Sequence, residues 1–105
     1  MQPDPRVLDR LIQSVVTSVR PLRIILFGSA ARGELGPDSD LDVLVVMPQG
    51  THRRKTAQQL YRQIAGLGMP FYIVVATPED LELHRSNPGL IYGEILREGM
   101  EVYAA

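Results

Sequence analysis

Three short apolar runs limit what this chain can become. Ile24–Phe27, Leu41–Met47 and Phe71–Ala76 are nearly unbroken stretches rich in branched residues, and glycine or proline follows each within two residues. Runs of that length with those boundaries read as buried strands. A strand buried on both faces needs cover, and the segments between the runs supply it. Asp4-Pro5 reads as a cap with proline at the first helical position, and Leu8, Leu11, Ile12, Val15 and Val19 recur at helical spacing up to Arg20-Pro21. Thr51 is placed to cap a second helix in which Ala57, Leu60, Tyr61, Ile64 and Leu67 form one stripe, with Gly66 and Gly68 ending it.

Further start signals follow at Thr77-Pro78-Glu79-Asp80 and at Asn87-Pro88, and Gly99 closes the last helix before a short edge strand over Glu101–Tyr103. Ser29–Glu34 reads as the first turns of one more short helix, and the residues from Gly33 to Ser39 carry loop chemistry. The predicted order is helix, strand, helix, strand, helix, strand, helix, helix, short strand. Such alternation predicts an α/β domain with helices packed on a small sheet.

The length, 105 residues, fits one domain over 1–105. A formal net charge of −1 gives no overall electrostatic reason to bind nucleic acid directly. There is no cysteine, which removes disulfides, thiolate metal sites and cysteine nucleophiles together. No stretch approaches the apolar length of a membrane span, so a soluble, cytoplasmic protein is the expectation. A small sheet leaves apolar surface exposed, which allows self-association or a standing partner.

The residues that carry chemistry gather around the first two runs. Gly28-Ser29 follows a strand and opens a helix, where unpaired backbone N–H groups favour an anion and glycine lets a phosphate approach closely. Taken alone the dipeptide is also an ordinary strand-to-helix turn with Ser29 as the cap. Asp40 and Asp42 lie two apart, so on a strand they project to one face and can share a hard cation. An acidic pair in a turn is commonplace, but this one leads directly into Val43–Val46 and therefore stands at the edge of a core. Arg32 is either a phosphate partner or a surface arginine. His52-Arg53-Arg54-Lys55 reads as a solvated helix face or a contact for an acidic partner, and His84 has no second histidine at ligand spacing.

Gly28-Ser29, Gly33 and Ser39-Asp40-Leu41-Asp42-Val43 together resemble the signature of the DNA polymerase beta-like nucleotidyltransferase superfamily. The wording Phe27-Gly28-Ser29-Ala30-Ala31-Arg32-Gly33 resembles its minimal nucleotidyltransferase branch, and the similarity runs from Leu22 to the C-terminus. The resemblance implies a mixed sheet of three main strands, with the C-terminal edge strand added, flanked by helices. It implies that Gly28, Ser29, Arg32 and Ser39 contact the nucleotide, and that Asp40 and Asp42 bind Mg²⁺ and carry catalysis. The reaction implied is transfer of AMP from ATP to an acceptor hydroxyl, with pyrophosphate leaving. For the minimal branch the implied setting is the antitoxin of a helical HEPN-domain ribonuclease toxin, silenced by nucleotidylation.

One departure accompanies these matches. Fully catalytic relatives carry a third carboxylate on the next strand, and the aligned position is Tyr72. A phenol is a poor ligand for Mg²⁺ and a poor substitute for a carboxylate base, unless Glu34 or Asp38 stands in. Tyr72 is alternatively a packing residue against the first helix. Two functions therefore compete: a nucleotidyltransferase acting on a partner protein, and a degenerate module that neutralises its partner by contact. Transfer to a small molecule such as an aminoglycoside is a weaker third, because it calls for a substrate domain the sequence does not show.

Overall fold

A computed structural model describes residues 5–33, 40–84, 87 and 91–105. The elements in chain order are α1 (Pro5–Val19), β1 (Arg23–Phe27), α2 (Gly28–Ala31), β2 (Leu41–Val46), α3 (Arg53–Gln63), β3 (Phe71–Ala76), α4 (Pro78–His84), α5 (Tyr92–Glu98) and β4 (Met100–Ala104). The strands form one four-stranded sheet in the order β3-β2-β1-β4. The sheet is mixed: β1 runs antiparallel to both β2 and β4, while β2 and β3 are parallel and joined through α3. This bears out the predicted α/β architecture, with the C-terminal strand now a full member of the sheet.

Alternation of side chains along each strand sorts the sheet into two apolar layers. Ile24, Leu26, Val43, Val45, Ile73 and Val75 pack on one face with Leu11 and Val15 of α1 and Leu60 of α3. Ile25, Phe27, Leu44, Val46 and Ala76 face the other way and pack with Leu81 of α4 and Ile95 of α5. Both faces of β1 and β2 are covered, which is why their sequences are apolar at nearly every position rather than at alternate ones.

Local chemistry explains the helix ends, and it differs from the sequence reading in places. The α3 cap is His52, whose Nδ1 accepts from the Lys55 amide at 3.2 Å. Thr51 instead closes the turn before it, donating its hydroxyl to the Pro48 carbonyl at 2.7 Å. The turn after β2 needs Gly50 at a φ of +90°, and that geometry moves the helix start one residue on from the threonine. Leu67 is buried as expected but lies beyond the helical residues of α3. At α4 the Thr77 hydroxyl accepts from the Asp80 amide at 3.3 Å and the Asp80 carboxylate accepts from the Thr77 amide at 3.0 Å. This reciprocal pair satisfies two otherwise unpaired donors, as the sequence Thr-Pro-Glu-Asp predicts.

Asp80 also takes the Arg53 guanidinium at 3.2 Å. Burial acts to raise the carboxyl's pKa, but the hydrogen bonds from Thr77 and the charges of Arg53 and His84 outweigh it and hold the group below the ordinary carboxylate range. One member of the basic cluster thus ties the α3 start to the α4 start. The Asp4 cap and the Pro88 start signal fall outside the described residues, and α5 itself begins at Tyr92.

At the outer edge of the sheet, the Ile73 amide of β3 donates to the Tyr61 hydroxyl at 3.0 Å. The Tyr61 ring stacks on Phe71 with centroids 5.4 Å apart. No helix among the described residues is long and apolar enough to cross a membrane.

Candidate functional site

Strand direction decides what meets at one end of the sheet. β1 ends where β2 and β3 begin, so the register sets Phe27 opposite Asp42, and Asp42 beside Tyr72. Gly28 continues directly from β1 into α2 with a φ of +72°, a conformation that glycine adopts without strain. A Cβ at this position would run into the Asp42 carboxylate, so two independent constraints require glycine here. The motif pieces that lie fourteen residues apart in sequence, at 28 and 42, are therefore in contact.

Around that contact lies a cavity of about 390 Å³ lined by Phe27, Gly28, Ser29 and Arg32 on one side, Asp42 from β2, and Ile91, Glu94, Ile95 and Glu98 from α5 and its approach. Its size is in the range of small-molecule sites, and its wall combines an apolar floor with a few converging polar groups. The Arg32 guanidinium stands 4.0 Å from the Glu98 carboxylate across it, both largely exposed.

Asp42 is half-buried where β2 enters the core, and Asp40 is exposed just before the strand. Burial, and then the charge of Asp40, push the Asp42 carboxyl above its ordinary value. The strain is electrostatic: two carboxylates two residues apart repel, and one of them is losing solvent. A divalent cation relieves such repulsion, and Mg²⁺ commonly takes one or two protein carboxylates and completes its shell with water and phosphate oxygens. Among the described residues no cluster of three or more potential metal ligands occurs.

Most of the residues singled out from the sequence meet here. Gly28, Ser29, Arg32 and Asp42 line one cavity, and Asp40 stands exposed two residues before Asp42. Ser39, Glu34 and Asp38 lie outside the described residues. Ser29 is not a helix cap: the cap position of α2 is Phe27, with no side-chain hydrogen bond, and Ser29 lies inside the helix. Tyr72 does not pack on α1. It shares the face of Val74 and Ala76, away from α1, and is 50% exposed. Glu94 and Glu98 were not anticipated. Ile91, Glu94, Ile95 and Glu98 fall at helical spacing on one face, a visible signal, but nothing in the sequence says which end of the sheet α5 packs against.

A mixed sheet that brings a glycine-serine turn against paired aspartates, beneath a small cavity, defines the class as a nucleotidyl-transfer fold. The nucleotidyltransferase domain family matches residues 8–96, and the chain belongs to that family. Nucleotidyl transfer is the family's chemistry, and its domains typically use a divalent metal such as Mg²⁺. The fold is shared with a crystal structure from Sulfolobus solfataricus, of a protein provisionally described as a nucleotidyltransferase. The two are 18% identical with a TM-score of 0.64, over 94% of this chain and 78% of that one. No curated protein matches the chain.

Proposed function

We propose that this chain binds Mg-ATP in the cavity between α2 and α5 and transfers AMP to a hydroxyl of a partner protein. The observation that carries the reading is the contact between Gly28 and the Asp42 carboxylate at the wall of a cavity that also holds Ser29 and Arg32. Gly28, lacking a side chain, lets phosphate oxygens approach the backbone, and Ser29 adds a hydroxyl donor. Arg32 supplies positive charge, and an incoming phosphate competes for it with Glu98. Asp40 and Asp42 would hold Mg²⁺, which when bound neutralises charge on the phosphates and on departing pyrophosphate. Ile91 and Ile95 offer the apolar surface on which the rest of the nucleotide rests.

The partner in this reading is a HEPN-domain ribonuclease toxin, with the chain as its antitoxin in the cytoplasm. Support for it is the resemblance of Phe27–Gly33 and Ser39–Val43 to the minimal branch. A second reading, neutralisation by contact without turnover, is favoured by one observation. Tyr72 occupies the register position beside Asp42 at which the third carboxylate is expected, and a positioned base is worth roughly 10² to 10⁴ in rate. Incubation with the toxin, Mg²⁺ and ATP labelled at the α-phosphate separates the two. Label on the toxin, lost in Asp42→Ala, is the expected result. An unlabelled toxin in an intact complex would leave only the contact reading. Tyr72→Asp restores a carboxylate beside Asp42 and is expected to increase labelling of the toxin.

A further inference from the structure

Tyr72 stands out among the tyrosines. Tyr61 engages its hydroxyl with the Ile73 amide, Tyr92 stacks on His84, and Tyr103 packs against the layer under α1 and α3. Tyr72 is half-exposed, and among the described residues its side chain makes no hydrogen bond, ion pair or ring contact. Its place is defined all the same. Ile73 and Val75 point to the α1 side and Val74 and Ala76 to the α5 side, so by alternation Tyr72 shares the face of Asp42. The parallel register sets the two side by side on neighbouring strands, which run about 4.8 Å apart.

Across that end of the sheet the order is then fixed. The cavity with Gly28, Ser29 and Arg32 lies on the β1 side of Asp42, and Tyr72 lies on the β3 side, outside the cavity wall. Asp42 separates the space suited to a triphosphate from a phenol open to solvent. Donor on one side and hydroxyl on the other is the relation that two-substrate transfer requires, because reacting atoms must be brought to contact distance across the metal-binding group.

We propose that Tyr72 is itself an acceptor, becoming nucleotidylated by the chain that carries it; this rests on the nucleotidyl-transfer reading above. The Tyr72 Oη forms a bond to the α-phosphorus of a nucleoside triphosphate. The bond from that phosphorus to the oxygen leading to the β-phosphate breaks, pyrophosphate departs with that electron pair, and the phenolic proton goes to solvent. No oxidant or reductant enters. The product is a phosphodiester-linked nucleotide standing over the β3 side of Asp42, where an external hydroxyl would otherwise approach. Self-modification therefore limits transfer to any partner.

The test uses the full chain alone, with Mg²⁺ and ATP labelled at the α-phosphate, read by intact mass and by mapping of the β3 peptide, with binding of Mg-ATP measured by calorimetry. The expected result is the added mass of one AMP on Tyr72, at a rate per molecule independent of protein concentration. Tyr72→Phe is expected to bind Mg-ATP and gain no mass. A wild-type chain that binds Mg-ATP and stays unmodified overturns the assignment of Tyr72 and leaves the nucleotide site standing, as does modification mapped to another residue. A rate that rises with protein concentration overturns transfer within one chain. A chain that binds no Mg-ATP overturns both readings together.

Discussion

On the face of the sheet beneath α1 and α3, Ile24, Leu26, Val43 and Val45 are wholly buried along the length of the strands. On the opposite face the apolar layer runs only as far as Phe27 and Val74, and the next positions are Asp42 and Tyr72. The same strands make both surfaces, so the difference lies in what covers them. Two long helices with continuous apolar stripes close the first face. Short α4 and α5 close part of the second and leave one end open, where charge and a hydroxyl can be held on a rigid support. Stability and chemistry are thereby assigned to opposite sides of one sheet, and substitutions should separate them.

The largest effect on folding is expected from the closed face. Leu60 is fully buried between α3 and the sheet, and Leu60→Ala should cost about 2–5 kcal/mol in denaturant unfolding. The affinity of the folded fraction for Mg-ATP should stay unchanged, since the residue is remote from the cavity. A large loss of affinity would break the division of labour. Gly28→Ala tests the opposite face. The left-handed backbone alone costs an alanine roughly 1–2 kcal/mol, and the added methyl meets the Asp42 carboxylate. Calorimetry should register a loss of Mg-ATP affinity greater than this stability change accounts for.

The smallest effect has the opposite sign. Because the folded-state pKa of Asp42 is raised, its contribution is favourable below the ordinary carboxylate value of 3.8. That contribution is lost as pH rises through the shifted one. Asp42→Asn removes the loss, and without divalent cations it should match or exceed wild type at neutral pH by less than about 1 kcal/mol, given solvent screening. Thermal melts against pH should show the two curves separating as pH rises. Added Mg²⁺ should raise the wild-type curve at neutral pH and leave the variant's nearly unmoved.

Much of this division was legible in the sequence. The continuous apolar runs predicted strands covered on both faces, the helical stripe of α1 named Leu11 and Val15 as core, and Thr77-Pro78-Glu79-Asp80 announced its own cap. Gly28 and Asp42 belong to one sequence motif, and the fold brings them into contact. What stayed hidden depends on long-range geometry. The resemblance already put Tyr72 near the aspartates, whereas the packing of α5, which no motif announces, decides that Glu94 and Glu98 enter the cavity wall. The His52 cap was missed for a local reason, because histidine is an uncommon cap and Thr51, one residue earlier in the same turn, carries the commoner chemistry.

The hydrogen bond from the Ile73 amide to the Tyr61 hydroxyl bears on the molecule's behaviour in a crowded solution. β3 is an outer strand, and an outer strand with open donors is a template on which another chain can extend the ladder. A phenol held by stacking on Phe71 occupies one rung of that template. Resistance to strand-by-strand aggregation is in this way written partly into a helix, by a side chain whose ring lies on Phe71 and whose oxygen guards an edge.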